Sequence, residues 1–114
     1  MIAMLLAIAI RNAPQEQRVE GPGPACGKAF SIQLEAGEVL AWTDTGMDFV
    51  AYRFTRPDGI TVIYEGNAPQ PGGIVSKTGM DWPSVVVVHG TPDVARRVKA
   101  SNDAADVCRG KGSK

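Results

Sequence analysis

The sequence predicts a mainly β domain of α+β type: a small antiparallel β-sheet or sandwich of five to six strands with one C-terminal helix. Three observations carry this. Apolar and polar residues alternate through residues 30–34 and again through 48–55, the period of a strand with one buried face. Pro57-Asp58-Gly59, the clearest turn signal in the chain, joins the second of these runs to another apolar run. The β-branched stretch 85–88 is followed at once by Thr91-Pro92-Asp93, a helix start.

Each element follows in order. Phe30, Ile32 and Leu34 alternate with Ser31 and Gln33, and Glu35-Ala36-Gly37-Glu38 turns the chain into a second strand over 39–43. In the strand over 48–55, Val50, Tyr52 and Phe54 share one face. Residues 60–65 return as its hairpin partner. The segment 66–73 holds two prolines and three glycines and reads as an irregular loop, with a short strand over 74–77 behind it. After a turn over 79–83, residues 84–89 form a strand covered on both faces. The helix runs from residue 92 to about 100, capped by Thr91 and burying Val94 and Val98 one turn apart.

The chain of 114 residues has room for one core, and its zero formal charge sets up no global field for nucleic acid. Residues 1–10 are apolar throughout. They are too few to span a bilayer, which takes about 20 residues, and their length suits a secretory signal, with Ala7-Ile8-Ala9 as a small-x-small cleavage site. Residues 11–27 read as a Pro/Gly-rich linker, 28–108 as a single compact domain, and 109–114 as a disordered basic tail. Six of the twelve basic residues lie within 96–114, without interleaved aromatics, and read as a solvated face. Cys26 and Cys108, the two cysteines, frame the domain and read as one disulfide of an exported protein. In the chain-entropy account a bridge closing so long a loop contributes up to roughly 4.5 kcal/mol.

Candidate functional residues are few. Tyr64 and Asn67, with Trp82, form the expected binding surface, where an aromatic strand end opens into a Gly/Pro loop. His89, the one histidine, stands near Asp81 and Asp93 but reads first as a hydrogen-bonded strand-end residue. No nucleophile is singled out, and neither a metal nor a cofactor is expected. Asp44-Thr45-Gly46 reads first as a turn between strands. It is also the signature tripeptide of aspartic proteases. An alternating strand, a glycine turn and a second strand precede it, Gly72-Gly73-Ile74 lies downstream, and Val87-Val88-His89-Gly90 stands ahead of a helix. In this spacing the chain resembles the retroviral-type (retropepsin-like) enzymes over about half the domain. Thr43 before the aspartate, Met47 after the glycine, and Pro69 and Pro71 in the flap region depart from that pattern. The resemblance implies a homodimer in which Asp44 shares a proton with its symmetry mate and Thr45 holds the pair.

The expectation is therefore an exported, disulfide-tied, non-catalytic domain with a binding, inhibitory or structural role. It is periplasmic or secreted, of bacterial origin, monomeric, with a protein or cell-envelope partner and no nucleic acid. The alternative is a dimeric aspartic peptidase acting through Asp44, Thr45 and Gly46.

Overall fold

In a computed structural model the described residues are 15–67, 71–78 and 85–110. The strands are β1 (Glu16–Glu20), β2 (Gly23–Cys26), β3 (Phe30–Leu34), β4 (Val39–Thr43), β5 (Phe49–Arg56), β6 (Gly59–Gly66), β7 (Ile74–Thr78), β8 (Val85–His89) and β9 (Lys99–Ala100). Two short helices, α1 (Pro92–Arg97) and α2 (Ala104–Cys108), flank β9. The larger sheet has the order β1-β4-β5-β6-β8-β7 and the smaller one β2-β3-β9, and every pairing is antiparallel.

The alternation in the sequence decides which face is buried. Leu40, Val50, Tyr52, Phe54, Ile63, Val86 and Val88 point from the larger sheet toward Ala25, Phe30, Ile32 and Leu34 of the smaller one. Val94 and Val98 close this core from the helical side. The Phe30 and Tyr52 rings meet edge to face at 4.8 Å, and Trp42 lies 5.0 Å from Tyr52, so aromatics fill the space between the sheets.

The C-terminal end of α1 is fastened by charge. Arg97 donates from Nη1 and Nη2 to the two carboxylate oxygens of Glu38 at 2.9 and 2.5 Å, and from Nη2 to the Gln33 carbonyl at 3.0 Å. Glu38 is only 5% exposed and also accepts the Glu35 N–H at 2.7 Å. Its carboxyl is held below the ordinary value first by the Arg97 hydrogen bond, while burial opposes the shift. The guanidinium stands 5.2 Å from the centre of the Phe54 ring, so the same side chain covers the core.

Several features differ from the sequence expectation. Residues 16–26, read as linker, carry β1 and β2. Both are edge strands, where few apolar side chains are needed and Pro24 breaks no ladder on its open side. The turn between them carries a cis Gly21-Pro22 bond, and Gly23 has a positive φ of 138°. The helix after Thr91 is shorter than expected. It ends at Arg97 because Lys99 and Ala100 pair with Ser31 and Phe30 of β3. The Thr91 side chain makes no capping hydrogen bond; its main-chain carbonyl accepts the Ala95 N–H at 3.1 Å instead. The polar stretch after residue 100 contains α2. The apolar run 1–10, the turn at 79–83 and residues 111–114 lie outside the described residues.

Candidate functional sites

The cysteine pair is the covalent closure of the fold. Cys26 and Cys108, 82 positions apart in sequence, form a disulfide with their Cα atoms 6.2 Å apart. It ties α2 to the edge of the smaller sheet, because Cys26 ends β2 and Cys108 ends α2.

Asp44, Thr45 and Gly46 lie just beyond β4, all three exposed. The Gly46 N–H donates to Asp44 Oδ1 at 2.9 Å, and Gly46 adopts a positive φ of 78°. Together these make an aspartate-closed turn that glycine accommodates without steric cost. Asp44 Oδ2 lies 3.0 Å from the Lys28 ammonium. The Gly46 N–H first, and Lys28 second, hold the Asp44 carboxyl below its ordinary value. This environment favours the ionised form and uses both carboxylate oxygens locally.

Of the expected binding surface, Trp82 lies outside the described residues. Asn67 is exposed at the end of β6. Tyr64 is largely covered and stacks on Phe49, ring centres 5.7 Å apart. Both belong to the outer face of the larger sheet, away from the core. Register puts Tyr64 beside Ala51 and Val87, and Val62 beside Arg53 and His89. The outer face is divided. Over β1, β4 and β5 it is ionic, with Arg53 2.8 Å from Glu16 and Arg18 3.1 Å from Glu20. Over β5 and β6 it is apolar, with Phe49, Val62 and Ile60 exposed, Ile60 to 64%. His89 is half-buried at the end of β8, and no hydrogen bond or ion pair among the described residues joins it to Asp93.

Sequence reasoning missed one centre. Glu65 is fully buried in β6, between the sheets. Its Oε1 accepts the Lys28 N–H and its Oε2 the Ala29 N–H, both at 2.9 Å, and the Tyr52 hydroxyl donates to Oε1. The Tyr52 phenol is pushed far above its ordinary value, by burial first and the Glu65 charge second. The signal was present: Thr61, Ile63 and Glu65 share one strand face, so Glu65 falls at core parity opposite Val50. A carboxylate there needs donors, and the turn between β2 and β3 supplies two main-chain N–H groups.

Among the described residues no group of three or more His, Cys, Asp and Glu side chains is placed to hold a metal ion, and no helix is long and apolar enough to cross a membrane. Comparison with protein-family models, curated proteins and solved structures finds no match to this chain.

Proposed function

We propose that the protein is a small exported, disulfide-tied, non-catalytic domain that acts by binding a protein or cell-envelope partner in the periplasm or outside the cell. The observation that carries this reading is the divided outer face of the larger sheet. A monomer that had no partner would gain solubility from charge across the whole face, yet Phe49, Val62 and Ile60 stay exposed beside the paired ions. The acidic groups with shifted titration have structural partners: Glu38 with Arg97, Asp44 with Gly46 and Lys28. Such engagement suits a scaffold better than an acid–base pair, which needs groups pushed apart in pKa. The disulfide supports an oxidising compartment.

The test expresses the full chain in a bacterial host. The expected product lies outside the cytoplasm, starts beyond residue 9, and has a mass two units below that of the dithiol. Incubated with a mixture of unstructured peptides over pH 3–7, it leaves them intact. Hydrolysis that disappears in Asp44→Asn would overturn the reading in favour of the peptidase.

A further inference from the structure

The smaller sheet buries one face, and the other carries a groove. Register places Cys26 and Lys99 on either side of Ser31, and Pro24 beside Gln33, all on the face turned away from Phe30, Ile32 and Leu34. α2 lies over this face, fixed there by the disulfide from Cys26 and by the burial of Ala104. Two hollows remain around it. The larger, about 430 Å³, runs between Lys99, Ser101, Asp103 and Val107 over Ser31. The smaller, about 220 Å³, runs along Pro24, Gln33 and Val107. They share Ser31, Lys99 and Val107, so the two make one groove with the lysine at the join.

Three polar side chains of this groove have no partner among the described residues. Ser31 is only 7% exposed, and its hydroxyl makes no hydrogen bond there. A hydroxyl so covered ordinarily makes one. Lys99 and Asp103 form no ion pair among the described residues, with each other or with any other group. The remaining charges at the groove are engaged, Arg97 by Glu38 and Asp106 by Arg109.

Opposite charges that border one cavity without meeting select a ligand that carries both. An anion alone would face the Asp103 carboxylate, and a cation alone the Lys99 ammonium. A neutral molecule would cover both charges and supply no counter-charge. The larger hollow falls within the roughly 300–1,000 Å³ of small-molecule sites. The smaller one has room for an aliphatic side chain against Pro24 and Val107.

We propose that the groove binds a free α-amino acid with an aliphatic side chain. Its carboxylate meets the Lys99 ammonium and the Ser31 hydroxyl, its ammonium meets Asp103, and its side chain enters the smaller hollow. The site lies on the smaller sheet and is independent of the outer face of the larger one, so it adds a small ligand to the partner-binding reading.

The test titrates the full oxidised, isotope-labelled chain with L-leucine and follows the backbone amides by NMR. Saturable shifts are expected at Ser31, Lys99, Ser101 and Asp103, with a Kd of about 1 mM or tighter. N-acetyl-L-leucine lacks the ammonium and L-leucinamide lacks the carboxylate, and each binds about tenfold or more weakly through loss of one charge-assisted contact. Glycine, with no side chain for the smaller hollow, is also weaker by about tenfold or more. Lys99→Gln weakens leucine and removes the discrimination against leucinamide, and Asp103→Asn does the same for N-acetyl-leucine. Both side chains are exposed and outside the core, and thermal unfolding verifies that the variants are folded.

The proposal is overturned if leucine gives no saturable shift at about 10 mM, if either derivative binds as well as leucine, if the shifts lie away from the groove, or if they persist unchanged in both variants. Any of these results leaves the partner-binding reading standing, because that reading rests on the other sheet.

Discussion

Replacing Glu65 with glutamine keeps the size of the side chain and removes its charge. In the native arrangement the two carboxylate oxygens accept three donors: the N–H groups of Lys28 and Ala29 and the Tyr52 hydroxyl. A glutamine amide offers one oxygen, and its NH2 must face a donor. The Ala29 contact is fully buried, so water cannot substitute there, whereas the Lys28 contact is partly open. One orphaned buried donor costs about 1–3 kcal/mol, and hydrogen bonds to a charged acceptor contribute about 1.5–3 kcal/mol against roughly 1 for a neutral one. Relief of the buried charge offsets part of this. We expect Glu65→Gln to lose about 2–4 kcal/mol in urea unfolding followed by circular dichroism, a large share of the roughly 5–15 kcal/mol of a small domain. Tyr52→Phe, which deletes one donor and leaves no orphaned N–H, should lose about 1.5–3 kcal/mol. The two changes share a partner, so the double variant should fall short of additivity by about 1 kcal/mol. Amide exchange localises the effect, with the Ala29 N–H losing protection in Glu65→Gln ahead of the β5–β6 ladder. A loss below about 0.5 kcal/mol, or unchanged protection at Ala29, would refute the idea that this carboxylate clasps the two sheets.

The remaining predictions concern the fastenings around that core. Cys108→Ser should cost about 2–4 kcal/mol by denaturant unfolding, since the bridge closes a loop of 82 residues; a loss near zero would mean that the closure does not restrain the unfolded chain. Arg97→Met should cost about 3 kcal/mol at pH 7 by leaving the buried Glu38 carboxylate without its cation. Glu38 has a folded-state pKa below the reference 4.5, so its contribution is complete above that pH and is lost as pH falls through the lower folded value. Arg97→Met should therefore flatten the acid limb of stability below about pH 4.5, and an unaltered limb would contradict the assignment. Asp44→Asn should leave the thermal midpoint within a few degrees, because asparagine closes the same turn; unfolding would mean that the Lys28 pair matters far more than an exposed contact should. Gly27→Ala should destabilise measurably by thermal scan, since a Cβ would sit 2.3 Å from the Phe30 ring; a neutral result would show that the ring can shift aside.

Where strands bury one face, the sequence was readable. Phe30, Ile32 and Leu34, and Val50, Tyr52 and Phe54, alternate because a pleated strand with one wet face demands it, and the structure buries all six. The Pro57-Asp58-Gly59 turn likewise joins β5 and β6 as its dihedral preferences dictate. β1 and β2 were illegible for the same physical reason. In β1 only Val19 packs against the core, so its composition is that of a linker. β9, of two residues, is too short to show any period, and it takes Lys99 and Ala100 from the end of the expected helix. The C-terminal helix α2 carries one buried residue, Ala104, and is held by the disulfide more than by an apolar stripe. The pairing of the cysteines was legible from their count and placement. The Glu65 centre was legible only as a parity violation, because its donors come from main chain thirty-six residues away and leave no trace in residue type.

These fastenings converge on four consecutive residues. Cys26 is bonded covalently to the last residue of α2. Gly27 donates its N–H to the Phe30 carbonyl at 2.8 Å and lies against the Phe30 and Tyr52 rings, closer than a side chain would permit. Lys28 and Ala29 give their N–H groups to Glu65, and the Lys28 ammonium reaches Asp44 beyond β4. The turn between β2 and β3 is thus joined to α2, to β6 and to the turn after β4 at once. A three-stranded sheet with one two-residue strand buries too little to stand alone. Its order comes from the core it shares with the larger sheet through Ala25, Phe30, Ile32 and Leu34, and from this segment, which couples the two by hydrogen bonds. The consequence reaches the proposed binding surface. The outer face of the larger sheet carries no part of this anchorage, so its exposed apolar residues Ile60 and Val62 can be changed without loosening the two sheets. The contacts that hold the fold and the proposed binding surface are thus separate, and that separation opens the surface to test by substitution.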